Sequence, residues 1–304
     1  MIRKSWIVIL QAAILSIESI FVEFLTELFG IPSLVISGTS IPLAGAILLL
    51  ITNFAVKRRV AIFKSWKYLI SGSTFLAAAV FTWYDSVGRV GASKEGLLAG
   101  PLETVAVLFL AWFFLKEKLT KRQLTGVIIA LAGFFVTVYS GRLEWSSILP
   151  SSLTFGDLEA ILSAITFASG IICMTKLVER YSSLEVTGAS LLISGLMLTV
   201  ILLISSSFSF YVILSVPNWI VLILFSLLPL SAALLYVSGL SRIGASLTST
   251  IASSNILLTV VFQLILREYG IKSNLPVNIP LAIIGGAFGI FGIYLIHIDK
   301  NKLM

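Results

Sequence analysis

The 304-residue sequence contains one cysteine, Cys173, and one histidine, His297. One cysteine rules out an internal disulfide. The two residues together leave no His/Cys cluster, so no metal and no cofactor is expected. Charge is scarce too: 12% of residues are charged and 58% hydrophobic, where ordinary soluble domains carry roughly 25% charged residues. No polar stretch is long enough for a separate soluble domain. A cleavage site is also missing. The start, MIRKSWIVIL, resembles a signal sequence, but its apolar run is longer than a signal core. It carries Glu18 and Glu23 and no small-residue cleavage site, which predicts a retained first helix. The net charge of +7 does not point to nucleic acid, because the basic residues sit in short loops between apolar runs.

The chain is rich instead in apolar length. Crossing a hydrocarbon core of about 30 Å takes roughly 20 mainly apolar residues. Runs of that kind succeed one another at 6–26, 34–56, 66–87, 95–115, 122–140, 156–175, 186–205, 217–240, 245–266 and 277–297. The expected fold is an all-α membrane protein with ten transmembrane helices in the lipid bilayer of the cell (plasma or inner) membrane. Sixteen of the 21 Lys and Arg residues fall on one side of the alternating connections, which places that side, and both termini, in the cytoplasm.

The sequence also repeats. Ser33, Gly38 and Gly45 match Ser183, Gly188 and Gly195 at an offset of 150. Arg89-Val-Gly-Ala-Ser93 matches Arg242-Ile-Gly-Ala-Ser246 at 153, and Gly126 and Gly133 match Gly285 and Gly292 at 159. Two five-helix units, 1–145 and 150–304, result from this. Five is odd, so the units insert in opposite orientations as inverted repeats. The loops agree: KRRVAIFKSWK after the second span is basic, and its counterpart SSFSFYVILSV is not. Inverted repeats typically place a substrate site near the midplane between the halves and expose it to each side in turn.

Residues 101–139, PLETVAVLFLAWFFLKEKLTKRQLTGVIIALAGFFVTVY, resemble the signature of the EamA branch of the drug/metabolite transporter superfamily. The pattern is a proline in helix four, an apolar run, a Glu before Leu-Thr (Glu117, Leu119, Thr120) and a glycine-spaced fifth helix. The second half departs from it at Ser253 and Ser254, where a proline is common, and at REYGI, which replaces the acidic Leu-Thr ending. The resemblance implies a secondary transporter with cytoplasmic termini and a central cavity lined mainly by helices 1, 3, 4, 6, 8 and 9. It implies an exporter of amino-acid-like or other small organic solutes, as a monomer or homodimer. A nucleotide-sugar or sugar-phosphate exchanger is the alternative, although helix nine lacks a lysine-arginine pair like that of sugar-phosphate members. A channel or receptor is the remaining transport-class reading.

Ionisable groups inside spans cost roughly 2.5–3.5 kcal/mol on insertion scales and usually face a cavity. Glu103 lies about 12 Å along the fourth span at 1.5 Å per residue, near mid-depth. Pro101 lacks an N–H and is expected to break the helix one turn back, freeing carbonyls near Leu97. Glu103 then either binds substrate or a coupling proton, or serves as hydrogen-bonded glue between helices. Glu18 and Gln11 share one face of the first helix, whereas Glu23 and Glu27 lie nearer its outer end and are expected to be solvated. Asn255 is the repeat-related counterpart of Glu103 and sits in a polar knot with Thr250, Ser253 and Ser254. Lys94 and Glu95 mark the external end of helix four. They either pair with each other or Asp85, or stand at the cavity mouth, with Glu95 on the face of Glu103. Tyr84 and Tyr236, at matching span ends, are interfacial anchors or stack on substrate at that mouth. Glu117 is expected to shape a cytoplasmic loop, and Glu159 to favour the N-terminus of helix six. Gly96 and Gly100, like Gly285 and Gly289, form small-residue patches for close helix approach.

An intramembrane serine protease is the rival from another class. Gly-Ala-Ser occurs at 91–93, 188–190 and 244–246, so the tripeptide carries little weight, and Ser190 would have to find its base in His297. No catalytic residue is expected.

Overall fold

The structure is a computed structural model that describes residues 2–55, 61–139, 154–270 and 278–299. Every regular element among them is helical. The order is α1 Ile2–Glu27, α2 Ser33–Leu50, α3 Trp66–Val90, α4 Ala92–Leu110, α5 Lys121–Tyr139, α6 Phe155–Val178, α7 Ser183–Ile204, the short α8 Ser207–Val212, α9 Val216–Phe225, α10 Leu227–Ile243, α11 Ala245–Ala252, α12 Asn255–Glu268 and α13 Ile279–Asp299. π-turns at Ile51–Ala55 and Ala111–Leu115 extend α2 and α4. Seven segments among the described residues are long and apolar enough to cross a membrane: Trp6–Glu27, Ser33–Phe54, Leu98–Leu115, Phe155–Val178, Ser183–Ile204, Val216–Ile243 and Ala245–Glu268. Large side chains such as Trp112, Ile204 and Phe54 are exposed on the outside, as suits a surface solvated by lipid. The chain is an all-α membrane protein.

Local chemistry sets the boundaries. Thr154 with Asp157, and Ser182 with Glu185, form capping boxes that satisfy the first N–H groups of α6 and α7. Glu159, expected to serve the start of α6, instead has its carboxylate 3.1 Å from Arg89 Nε; the capping box already fills that role. α9 and α10 meet at Ser226 because Pro229 has no N–H to offer Phe225, one turn back. The helix break expected at Pro101 does not appear, and α4 runs through it. The interruption lies in the matching helix of the other half, at Ser253 and Ser254 between α11 and α12. There the Ser253 hydroxyl bonds back to the Ser249 carbonyl, and Ser254 N–H bonds to Ile251, three residues back. Together they tighten the turn in place of the regular ladder.

The repeated Gly-Ala-Ser at 91–93 and 244–246 forms two corners. Gly91 has φ 84° and Gly244 φ 85°, a region that side chains with Cβ disfavour, so α3 turns into α4 and α10 into α11 through one residue each. The third copy, at 188–190, is plain helix inside α7.

Glycines also set two close helix crossings, and the contacts are reciprocal. A Cβ placed on Gly45 of α2 would fall on the backbone of Leu192 in α7, and one on Gly195 of α7 would fall on the backbone of Pro42 in α2. Both pairs stand at the offset of 150. Likewise a Cβ on Gly133 of α5 would meet the backbone of Gly285 and Gly289 in α13, while one on Gly292 would meet Gly126 and Ala130 in α5, all at 159. Only small residues permit such approach. The matched halves therefore pack on each other through α2 with α7 and α5 with α13.

Candidate functional site

A cavity lies between the two halves. It is lined by α1, α3, α4, α6, α10, α11 and the first residue of α12, together with Ile41 of α2 and Thr187, Ser190 and Leu191 of α7. The α2 and α7 contributions were not expected. They arise from the glycine crossing, which draws those helices inward.

Three carboxylates from two helices face this space: Glu18 of α1, and Glu95 and Glu103 of α4. Eight residues separate the two on α4, a little over two turns, so they share a face about 12 Å apart. Glu18 is 2% exposed, and its Oε1 accepts a 2.6 Å hydrogen bond from the Tyr84 hydroxyl; Oε2 is buried without a partner. Glu95 is buried as well and faces the Trp83 and Ser163 side chains. Glu103 is half-buried, and no described residue forms a hydrogen bond or ion pair with it. Gln11, also 2% exposed, completes the stripe on α1 with its Oε1 buried and unpartnered. No Lys, Arg or His is found among the described residues that line the cavity.

Serine and threonine hydroxyls tie α1 and α4 to the junction of α11 and α12. Thr104 of α4 and Ser253 share a hydrogen bond, and Ser249 donates to Thr104 at 3.4 Å. Ser16 of α1 donates 2.8 Å hydrogen bonds to its own helix at Ala12 and to the carbonyl of Asn255. The break between α11 and α12 is thus tied to both α1 and α4, which places Asn255 and Ser253 on the cavity with Glu103. Tyr236 of α10 also lines it, close to Ser249. Gly96 leaves open space there, since a Cβ on it would touch nothing within 4 Å. It is therefore not a packing contact of the kind expected, whereas a Cβ on Gly100 would press on Ile256.

Other expected residues lie elsewhere. Tyr84 is fully buried behind Glu18 and not at a mouth, because its hydroxyl turns inward to that carboxylate. Ser254 is buried outside the cavity lining. The side chain of Lys94 lies outside the described residues, as does that of His297. Asp85 accepts from Arg89 Nε at 2.7 Å and from the Ser33 hydroxyl, so Glu95 is not its partner.

Glu23 is not solvated. It is buried, and its Oε2 accepts from Ala92 N–H at 3.0 Å, capping α4 at the Gly91 corner. Glu117 does the same for α11 at the Gly244 corner, accepting from Ala245 N–H at 2.8 Å, Ser246 N–H at 3.0 Å and the Ser246 hydroxyl at 2.6 Å. It ties α4 to α11 where a loop role was expected. Ser93, on the first corner, donates to Gln263 of α12. The end of α4 thus holds the start of α11, and α12 holds the start of α4.

Reasoning from sequence missed Ser163, Thr187, Ser190 and Ser249 as lining residues. Thr187 and Ser190 are three apart and share a helical face, which was the one available signal.

The family model described as "EamA-like transporter family" matches the chain twice, over residues 4–139 and 154–298. No curated protein matches it. A crystal structure of a protein superposes on it with a TM-score of 0.69, covering 97% of each chain at 16% identity. At that identity the likeness shows a shared fold.

Proposed function

The chain belongs to the EamA-like transporter family, and on that premise we propose that it is a secondary carrier moving a small organic solute across the cell membrane by alternating access. In this reading α3, α5 and α13 also cross the bilayer, α9 with α10 and α11 with α12 each make one crossing, and the ten spans form two inverted repeats with cytoplasmic termini. The reciprocal glycine contacts support the repeat, and the excess of basic residues on one side supports the orientation.

The observation that carries the proposal is the cavity itself. It is large enough for a small metabolite, lies between the two halves, and is lined by carboxylates and two amides within helices otherwise built of apolar residues. Ionisable groups in such places mark substrate or ion pathways. Rocking one half against the other would open the cavity to each side in turn. Glu103 and Glu18 are the groups for substrate binding or proton coupling, with Gln11, Asn255 and Ser253 beside them. The absence of basic side chains among the described lining residues argues against a sugar-phosphate exchanger.

Purified protein is first screened for thermal stabilisation by amino acids, nucleosides, sugars and cationic drugs. Each hit is then tested for counterflow in proteoliposomes. Stoichiometric counterflow supports a carrier, and uptake without exchange would indicate a pore. Transport by Glu103→Gln with and without a pH gradient tests proton coupling. If the gradient dependence is unchanged, Glu103 is not the coupling group.

A further inference from the structure

We infer that the cavity selects solutes bearing a protonated amine or guanidinium group on an apolar, aromatic-sized body. This rests on the carrier reading above and deepens it to a substrate class.

The first argument is charge. Glu18, Glu95 and Glu103 face one shared cavity, and none of the described lining residues is basic. An anionic solute finds no basic partner among the described lining residues and is repelled by any of these carboxyl groups that ionises, the arrangement by which proteins exclude wrong partners. A cationic solute supplies the charge that the cavity lacks. If these carboxylates served as glue between helices, each would be paired within the protein. Glu103, however, forms no hydrogen bond or ion pair with a described residue.

The second argument is independent of the acidic cluster and concerns unfilled hydrogen-bonding capacity. Gln11 Oε1 and Glu18 Oε2 are buried atoms of residues only 2% exposed, both residues line the cavity, and neither atom has a partner. The Gln11 amide oxygen accepts, as does an ionised Glu18, while the Ser190 and Tyr236 hydroxyls, also on the lining and without a partner, can donate or accept. Buried acceptors left empty are rare and call for an explanation. A ligand with several N–H donors fills them, and an ammonium or guanidinium carries three or five. A quaternary ammonium has the charge but no donor, so it satisfies the first argument and fails the second.

The third argument is the rest of the wall. Trp83 and Phe167 meet edge to face at 5.9 Å beside Glu95. Leu15, Val80 and Met174 extend the apolar surface. An aromatic face next to a carboxylate suits a cation attached to an apolar body, through cation–π attraction and burial together.

The test uses one aromatic body with five head groups: phenethylammonium, phenethylguanidinium, 2-phenylethanol, 3-phenylpropionate and trimethyl(phenethyl)ammonium. Full-length protein in detergent is assayed for thermal stabilisation, then in proteoliposomes for counterflow of labelled phenethylammonium. Phenethylammonium and phenethylguanidinium are expected to stabilise the protein, phenylethanol and the quaternary analogue more weakly, and phenylpropionate not at all. Glu103→Gln is expected to weaken the phenethylammonium response by about tenfold or more, the loss of one charge-assisted hydrogen bond. Gln11→Met, which removes an acceptor without touching charge, is expected to narrow the gap between primary and quaternary amines.

Stabilisation by phenylpropionate or phenylethanol equal to that by phenethylammonium overturns the charge argument. An equal response to the quaternary analogue overturns the donor argument. No response to either phenethylammonium or phenethylguanidinium overturns the inference as a whole. Stabilisation by phenethylammonium without counterflow keeps the cation preference and overturns the carrier. Counterflow of a neutral or anionic solute alone does the reverse.

Discussion

Gly195→Ala offers the sharpest test of the packing that draws the two halves together. In a helix interior, glycine to alanine gains about 1 kcal/mol by propensity alone, so a loosely packed site predicts stabilisation. Here the new Cβ would fall on N, Cα and Cδ of Pro42, ring and backbone atoms that cannot rotate aside. Restoring ordinary carbon contact at about 3.5–4 Å requires α2 and α7 to part by on the order of 1 Å. Overpacking of a well-filled interface costs about 1–3 kcal/mol. Backbone against backbone belongs at the upper end, leaving a net loss of about 1–2 kcal/mol after the helix gain. At about 2–4 °C per kcal/mol for chains of this order of size, the unfolding midpoint in detergent micelles falls by about 2–8 °C. Gly45→Ala, the reciprocal substitution against Leu192, falls similarly. The double variant falls by less than the sum, because once the helices have parted the second methyl meets less resistance. Gly96→Ala, which faces open space, is the control and gains stability. If Gly195→Ala is as stable as Gly96→Ala, the close reciprocal crossing is wrong.

Individual residues carry four further expected outcomes. Gly96→Phe fills the cavity from a position that presses on no neighbour, so it abolishes ligand-induced stabilisation and counterflow while moving the unfolding midpoint by less than about 1 kcal/mol equivalent. Glu117→Gln keeps one acceptor but loses the charge and turns an amide donor toward the start of α11, costing about 0.5–2 kcal/mol as for a lost N-cap. Gly244→Ala costs more in the same unfolding assay, since it combines a φ of 85° with a contact to the Glu117 carboxylate. Tyr84→Phe removes the donor to Glu18 and leaves both its oxygens without a partner, a loss of about 1–3 kcal/mol. If the hydrogen bond is the cause, adding Glu18→Gln changes that cost in a double-mutant cycle; strictly additive effects would refute it.

Much of the architecture was legible in the chain. Scarce charge and successive apolar runs require helices that satisfy their own backbone in lipid, and every regular element among the described residues is helical. The glycine offsets of 150 and 159 pointed to a repeat. The structure supplies their reason, since each matched glycine sits where its helix touches the matched helix. The corners at Gly91 and Gly244 were likewise visible as a repeated tripeptide. The third copy, at 188–190, shows why the tripeptide alone was insufficient, for the φ of its glycine is set by the surrounding helix and its packing.

The site was legible only in part. Periodicity put Glu95 with Glu103, and Gln11 with Glu18, because positions on one helix face are set by the 3.6-residue turn. It misplaced Tyr84 at a mouth and Glu23 in water, and it gave Glu117 to a loop. In each case the deciding partner is distant in sequence: Glu18 for Tyr84, the Gly91 corner for Glu23, and the Gly244 corner for Glu117. Pro101 was expected to break its helix, yet the break fell at Ser253, where Ser249 and Thr104 supply competing hydrogen bonds. By itself the sequence determined the membrane environment, the helical periodicity and the repeat, since these depend on composition and local spacing. The tertiary structure alone decided which polar groups are satisfied by the protein and which face the cavity. That choice depends on hydrogen bonds between helices far apart in the chain.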